Sequence, residues 1–330
     1  MDLYKHLITS ALHRNSECLR IILSRDVDVN VAIAGQFTPD ALSDFLFKLD
    51  SLSACWYLIK PAITSKAYTQ AKRRLASLKD ILVPETDRHA LLDVLEDCLL
   101  KSKSTKSTKL LSTLKTNVQD EWKAGCLDVQ ALSLLLQEES RCWRELPASS
   151  PNDNKKILGR FVRRYTNCQV TGTRVLEYPR GLFPEKGTGP LNFSLRNLPV
   201  LRQQTSEKLQ NQWRNKSNGM WHQLLLVEQE LGEAGRERNW YLVRLQQCQS
   251  RGRLLAMLEA RLQAVRTSDQ VVKVPGKLLR LLHDLQNKLI LRQVKLYDCI
   301  FGQRPKAYLA FVSAVCKRED SAPQQLPESP

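Results

Sequence analysis

Apolar residues recur every three or four positions along most of this chain, and leucine dominates among them. This spacing places them on one face of an α-helix, whereas a half-buried strand would alternate apolar and polar residues. The pattern predicts helices over 2–24, 38–59, 64–82, 85–100, 110–146, 155–165, 210–238, 239–265, 276–300 and 305–316. The sequence therefore indicates an all-α fold.

Local signals predict several helix ends. Thr38 is suited to cap a helix whose first residue is Pro39, and Pro61 ends that helix. Asn15–Ser16 interrupts the first helical pattern and could cap a second short helix there. Pro84 separates two further helices, because proline lacks the backbone N–H that a continuous helix uses.

Turn-forming residues divide the chain into three regions and a tail. The stretch 166–200 is rich in glycine and proline, which predicts irregular backbone with at most a short strand or hairpin. The expected organisation is an N-terminal domain of helical hairpins over 1–146, an irregular connector over 147–200, a basic C-terminal helical bundle or short coiled coil over 201–318, and a disordered tail over 319–330.

Two segments are candidates for contacts with a partner. Over 210–238 the apolar residues approach a heptad pattern, which predicts a helix–helix seam that packs either within the chain or against another chain. Leu182 and Phe183 lie in the proline-rich segment and form a second candidate, either a docking element or a folded connector. The predicted seam consists of Trp213, Met220, Leu224, Val227 and Leu231.

The net charge of +16 is unevenly distributed. Residues 1–100 carry 12 basic and 13 acidic side chains, residues 101–200 carry 17 and 9, and residues 201–330 carry 21 and 12. A neutral first region followed by a basic remainder indicates an acidic partner, such as nucleic acid, tubulin tails or an acidic protein surface. Arg163 and Arg164 are candidate basic contacts. So are four lysines in a low-complexity stretch, for which a solvated linker is the alternative interpretation: Lys101, Lys103, Lys106 and Lys109.

No motif in the sequence indicates catalysis. The serine nucleophile elbow, the zinc-binding H-E-x-x-H pattern and the calcium loop of an EF-hand are all absent. Gly187-Thr188-Gly189 is followed by Pro190 instead of the lysine and serine or threonine of a phosphate loop. We therefore expect no catalytic residue, cofactor or metal site.

Nine cysteines without a C-x-x-C pair indicate reduced, buried thiols in a cytoplasmic or nuclear protein. The sequence contains no run of eighteen apolar residues, so we expect no membrane-spanning helix.

Arginines and aromatic residues in the third region also permit a nucleic-acid interpretation. Arginines spaced through helices can contact phosphates, and exposed aromatic rings can stack on bases. Trp221, Trp240 and Tyr241 are the candidate stacking residues, although tryptophan at helical spacing more often lies in a core. The arginines concerned are Arg236, Arg238, Arg244, Arg251, Arg253 and Arg261.

Residues 11–39 resemble the end of one ankyrin repeat and the start of the next. The similarity rests on Ala11, on Asp28-Val29-Asn30, where such repeats close with a turn, and on Gly35 to Pro39, which matches the G-x-T-P opening. The resemblance implies a pair of ankyrin-like helices near the N-terminus, for which a generic helical hairpin is the alternative.

Residues 193–316 resemble the second subunit of the tubulin epsilon-and-delta complex, a centriole-associated helical protein. The shared features are Phe193 to Arg196, Trp213-Arg214, Asn218, Met220 to Leu224 and an apolar terminal helix from Tyr308 to Cys316. The first half departs from that family, which is short and helical and then disordered there. The resemblance implies a role in centriole assembly, with protein partners and without catalysis.

Helix content, basic charge and the absence of catalytic motifs together favour a non-enzymatic helical interaction or scaffold subunit of an intracellular multiprotein assembly. Its expected partners are other proteins, with tubulin or another acidic surface among them, and its expected location is the cytoplasm, including the centrosome, or the nucleus. The alternative is a nuclear factor that binds nucleic acid through its basic helices.

Overall fold

The computed structural model describes residues 1–23, 37–123, 128–150, 152–181, 206–264, 266–267, 270–271 and 274–317. These residues form α-helices, one 3-10 turn (Lys60–Ala62) and one antiparallel pair of two-residue strands, so the predicted all-α fold is confirmed. The ten helices are α1 (Leu3–Leu23), α2 (Pro39–Ile59), α3 (Ser65–Lys101), α4 (Thr105–Lys123), α5 (Val129–Arg144), α6 (Asp153–Gly181), α7 (Glu207–Leu225), α8 (Glu228–Ala264), α9 (Gly276–Phe301) and α10 (Pro305–Lys317). The strands are β1 (Arg266–Thr267) and β2 (Gln270–Val271).

Side-chain caps begin several helices. The hydroxyl of Thr38 accepts a hydrogen bond from the backbone N–H of Ala41 at 3.2 Å, as its position before Pro39 predicts. Thr64 caps α3 in the same way. Asp128 caps α5 with a shorter bond of 2.8 Å from the backbone N–H of Ala131.

Helix α3 corrects the predicted break at Pro84. The helix is continuous for 37 residues with Pro84 inside it. Proline in a helix interior forfeits one backbone hydrogen bond and costs about 3 kcal/mol. Packing on both sides offsets that cost, because Leu78 and Leu82 lie in one hydrophobic core and Leu91 and Leu95 lie in another.

The described residues form two hydrophobic cores that share three long helices. The main core is built from α1, α2, α5, α6, α7 and α10, with the first halves of α3 and α8 and the second half of α9. The second core is built from α4, the second halves of α3 and α8 and the first half of α9. Each core therefore contains residues from both sides of the boundaries predicted at 146 and 200, and these boundaries do not separate independently packed units.

Helix α6 corrects the predicted irregular connector. The connector was expected to be irregular from residue 166, but α6 continues to Gly181, and residues 182–200 lie outside the described part of the chain. Phe161, Tyr165 and Cys168 recur at helical spacing and are buried in the main core. Gly172 allows α6 to pack closely against α9, because a Cβ at this position would lie only 2.6 Å from the ring of Tyr297 in α9.

The coiled coil predicted over 210–238 is wrong, whereas the helical bundle offered as its alternative is present. Helix α7 ends at Leu225, a turn follows at Leu226 and Val227, and Gly232 adopts a positive φ of 65°. Glycine has no Cβ that would penalise this conformation. The turn is itself buried, so the periodic apolar residues pack around a bend instead of along one straight helix.

Helix α1 also differs from its prediction. It runs without a break through Asn15, which is buried and donates its side-chain amide to the Leu136 carbonyl at 2.9 Å. A polar residue thus joins α1 to α5 instead of starting a second short helix. Residues 24–36, which carry most of the ankyrin resemblance, lie outside the described residues, and that resemblance stays a prediction.

Candidate functional site

The predicted seam packs inside the chain. Trp213, Met220, Leu224 and Val227 are buried in the main core, and Leu231 is partly buried against it. The sequence left open whether these residues face a second chain. Their burial within one chain removes the first four from any surface that a partner could contact.

The other predicted contacts have different outcomes. Leu182 and Phe183 lie outside the described residues. Lys101 ends α3, where its ammonium lies 2.7 Å from the Asp97 carboxylate. The other three lysines of the predicted linker are exposed. Lys103 lies in the turn before α4, and Lys106 and Lys109 lie near the start of α4.

A serine, a histidine and an aspartate meet between α2 and α7, but in an arrangement unsuited to catalysis. Ser51 Oγ lies 2.9 Å from His222 Nδ1, and His222 Nε2 lies 3.9 Å from Asp50. Because the Ser51 hydroxyl donates to the Phe47 carbonyl, its oxygen can only accept from the imidazole. A serine nucleophile needs the opposite polarity and access to substrate, yet Ser51 and His222 are both buried.

Burial also explains the charge state of this cluster. It lowers the pKa of His222 to about 4, and the negative charge of Asp50 acts in the opposite direction. The pKa of Asp50 is lowered overall: burial alone would raise it, but Lys79 and His222 favour the ionised form. At neutral pH the cluster therefore joins a neutral imidazole to an ionised, paired carboxylate.

A second buried cluster surrounds Glu139 on α5. Its carboxylate accepts hydrogen bonds from Trp56, from Trp143 at 2.8 Å and from Arg74 at 3.0 Å. Burial raises the pKa of Glu139, while these donors act in the opposite direction. All the donors belong to the protein itself, so the cluster ties α2, α3 and α5 together and leaves no group for a substrate.

A groove between α3, α8 and α9 is the strongest candidate for a binding site. It encloses about 430 Å³ and lies where the two hydrophobic cores meet. Its apolar lining and its charged rim come from helices that are distant in sequence. The lining residues that matter here are Val94, Cys248, Leu254 and Leu289, with Asp93, Arg244, Arg251 and Arg292 around them.

The rim of this α3–α8–α9 groove carries more positive than negative charge. Arg251 forms an ion pair with Asp97, whereas Arg244 and Arg292 have no ion pair within the described chain. Both lie near Cys248, whose pKa is raised by burial and lowered to a smaller extent by these two cations. The groove thus combines an apolar floor with two guanidiniums that are free to bind an anion.

An exposed tryptophan extends the groove along α8. Trp240 is 54% exposed, and the Arg244 guanidinium lies 5.2 Å from its ring centre. Trp240, Arg244, Gln247 and Arg251 follow one another at intervals of three or four residues and so share a face of the helix. A large exposed aromatic ring beside unpaired arginines is typical of a protein-binding surface.

Comparison with family models, curated proteins and solved structures finds no match for this chain. The resemblance of residues 193–316 to the tubulin-complex subunit therefore stays a prediction.

Most of the arginines predicted to face nucleic acid are bonded inside the molecule. Arg238 donates to Gln303 at 2.8 Å and lies against the rings of Tyr308 and Phe311. Three others pair with acids on α3 or α4: Arg251 with Asp97, Arg253 with Asp87, and Arg261 with Glu121 at 3.0 Å. Of the predicted stacking residues, Trp240 is exposed, whereas Trp221 and Tyr241 are partly buried against the main core.

No group of three or more histidine, cysteine, aspartate or glutamate residues in the described ranges could hold a metal ion. None of the helices that the structure describes is both long and apolar enough to cross a membrane. The described cysteines are free thiols, and five of them are buried: Cys18, Cys55, Cys98, Cys168 and Cys248.

Sequence reasoning missed the groove because its walls come from separate parts of the chain. Ala90 to Val94, Arg244 to Leu254, and Leu289 to Arg292 meet only after folding. One local signal was available, namely Trp240 and Arg244 one helical turn apart on the face that also carries Arg251. That spacing marks one wall and cannot identify the opposite one.

Proposed function

We propose that this protein is a non-enzymatic interaction subunit that binds an acidic segment of a partner protein in the α3–α8–α9 groove. The observation that carries the proposal is the pairing of an apolar floor with the guanidiniums of Arg244 and Arg292, neither of which has an ion pair among the described residues. A segment with one apolar side chain flanked by carboxylates would match both features.

The polar clusters support an interaction role over catalysis. Ser51, His222 and Glu139 are the groups that a catalytic site would use, yet each is buried and bonded to neighbouring helices. Such groups fix the packing of helices and present no reactive atom to solvent.

The alternative of nucleic-acid binding has less support. A nucleic-acid surface needs several cations along a track, together with exposed rings for stacking. Of the arginines predicted for that track, Arg251, Arg253 and Arg261 neutralise acids on neighbouring helices.

The resemblance to a centriole-associated subunit would make an acidic tubulin tail a suitable partner segment for the α3–α8–α9 groove.

The test is an affinity purification that compares two charge-reversed variants. Arg244→Glu/Arg292→Glu alters the groove, and Lys72→Glu/Arg73→Glu makes the same change in charge at exposed positions on the first half of α3. We expect acidic protein partners to be captured by the wild type and by the α3 variant, to be lost from the groove variant, and to survive nuclease treatment. Equal capture by both variants, or loss of all partners after nuclease treatment, would overturn the proposal.

A photo-crosslinking amino acid at Gln247 makes the same test site-specific. Gln247 is exposed and lines the groove, so a partner bound there should form a covalent adduct with it. The same amino acid at Lys306, an exposed position on α10, serves as the control. Adducts of similar yield at both positions would contradict binding in the groove.

A further inference from the structure

A second basic surface lies on the main core, where the end of α2 meets α6. The guanidinium carbons of Arg160 and Arg164 each lie 3.9 Å from the ring centre of Tyr57. The two guanidinium carbons are therefore separated by no more than twice 3.9 Å. Arg160 also donates its Nε–H to the Tyr57 carbonyl at 3.3 Å, which fixes the base of its guanidinium.

Two more cations complete this surface. Lys60 lies in the 3-10 turn after α2, with its ammonium 4.6 Å from the ring centre of Tyr68. Arg163 is exposed on α6 between the two stacked arginines. We call this set the cation–tyrosine cluster; it consists of Tyr57, Lys60, Tyr68, Arg160, Arg163 and Arg164.

The cluster has no acidic partner in the described chain. No salt bridge joins Lys60, Arg160, Arg163 or Arg164 to a carboxylate within the described ranges. Burial lowers the pKa of Arg160; the charges of Arg163 and Arg164 act in the same direction, and Tyr57 and Tyr68 act in the opposite one. The Nε–H of Arg164 is buried and makes no hydrogen bond to any described group.

Like charges held together in this way are unfavourable unless an anion joins them. The Tyr57 ring holds both arginines through cation–π contacts, which orient the guanidiniums without neutralising them. The free N–H groups of a guanidinium match the oxygens of a phosphate, and a phosphate dianion would offset the repulsion between neighbouring cations. The described residues thus provide fixed donors and positive charge, without a carboxylate among them that pairs with these cations.

We propose that the cation–tyrosine cluster binds the phosphate group of a phosphorylated side chain in a partner protein. Arginine clusters recognise phosphorylated segments in several classes of domain through the same donor geometry. Two of the cations stack on one ring, and all four come from one turn and one helix, which suits a single phosphate group better than the extended backbone of a nucleic acid. This site is separate from the α3–α8–α9 groove and does not depend on it.

The test uses an array of degenerate phosphoserine peptides with matched unphosphorylated peptides. Lys60→Glu/Arg163→Glu reverses the two exposed cations of the cluster and leaves the stacked Arg160 and Arg164 in place. We expect the wild type to bind phosphorylated peptides about tenfold more strongly than unphosphorylated ones, because charge-assisted bonds to phosphate are lost with the phosphate. The variant should lose this preference while retaining the wild-type melting temperature.

Two control variants isolate the site. Lys72→Glu/Arg73→Glu carries the same change in charge on another surface and should retain the preference for phosphopeptides. Arg244→Glu/Arg292→Glu should retain it as well, so that failure of the groove proposal and failure of this one can be distinguished.

Three outcomes would overturn the proposal. The first is equal binding of phosphorylated and unphosphorylated peptides by the wild type, and the second is an undiminished preference in Lys60→Glu/Arg163→Glu. In the third, a 20-nucleotide single strand binds the wild type and not this variant, while phosphopeptides bind neither. That result would assign the cluster to nucleic acid instead.

Discussion

The arginines of this protein occupy two contrasting kinds of environment. Where α8 meets α3, Arg253 forms an ion pair with Asp87, and both side chains are partly buried. Where α6 meets α2, Arg160 and Arg164 stack on Tyr57 without a carboxylate among the described residues. The first arrangement holds helices together, whereas the second leaves cationic charge available to a ligand.

The number of arginines therefore does not define a binding surface. The sequence shows a basic chain in which arginines recur through predicted helices, and it cannot show which of them have partners. Arg251 and Arg261 occupy ordinary positions in that pattern, yet each pairs with an acid more than a hundred residues away in the chain. Cations without an acidic partner are the stronger candidates for binding another molecule.

The largest loss of stability is expected when a buried arginine loses the carboxylate with which it pairs. Glu139→Gln removes the negative charge that faces Arg74, which is itself largely buried. The amide NH2 of glutamine would also face the donors of Arg74, so the guanidinium would lose its hydrogen-bond acceptor together with its charge partner. Leaving a buried charge without any partner costs about 3 to 5 kcal/mol, so the free energy of unfolding measured in urea should fall by about that amount.

The neighbouring residue supplies the control for this prediction. Glu138 is 39% exposed and pairs with Arg141 on the surface, so Glu138→Gln should cost less than about 1 kcal/mol. Similar losses for the two variants would show that the buried cluster contributes no more than a surface pair.

A smaller effect should follow from protonation of His222. The unfolded chain binds a proton near the ordinary histidine pKa of 6.5, whereas the folded chain binds it only near pH 4. The unfolded state therefore carries more protons between these values, and stability falls as the pH decreases through this window. Between pH 7.5 and pH 4.5 this group should contribute a loss of about 2 to 3 kcal/mol.

Urea unfolding at these two pH values tests the prediction, with His222→Gln as the comparison. Glutamine does not titrate, so this part of the pH dependence should disappear in the variant. The groups that face His222 are Asp50, Lys79 and Arg14. Asp50 has a lowered pKa and loses its own contribution at lower pH, outside the window. An unchanged pH dependence in the variant would contradict the assignment to His222.

The smallest effect contrasts the two kinds of arginine directly. Arg253→Ala breaks a partly buried pair with Asp87 and should lower the free energy of unfolding by about 1 kcal/mol. Arg163→Ala removes an exposed cation of the cation–tyrosine cluster and should change it by less than about 0.5 kcal/mol. If Arg163→Ala were the more destabilising of the two, the unpaired arginines would have to be regarded as structural.

The sequence predicted the helices well where burial and local signals agree. Thr38 with Pro39 and Pro305 mark true helix starts, and helix α9 lies almost where its apolar period places it. It failed where packing overrides a local breaker. Pro84 remains inside α3 because cores on both sides hold it, and α6 accommodates Gly172 because bulky rings pack there.

The candidate sites were harder to predict than the helices. The predicted seam contained real apolar contacts, but periodicity records burial and not the identity of the packing surface. Arg163 and Arg164 were predicted to be basic contacts from their charge alone, and that stays a prediction. Tyr57, which positions Arg164, is about a hundred residues earlier in the chain and gave no signal.

The sharing of long helices between two cores has a consequence for synthesis on the ribosome. Helix α9 contributes its first half to one core and its second half to the other, and it ends only at Phe301. Neither core can be completed before this helix has left the ribosome. Part of the apolar surface of the earlier helices therefore stays uncovered until α9 is made, and uncovered apolar surface makes a nascent chain prone to aggregation.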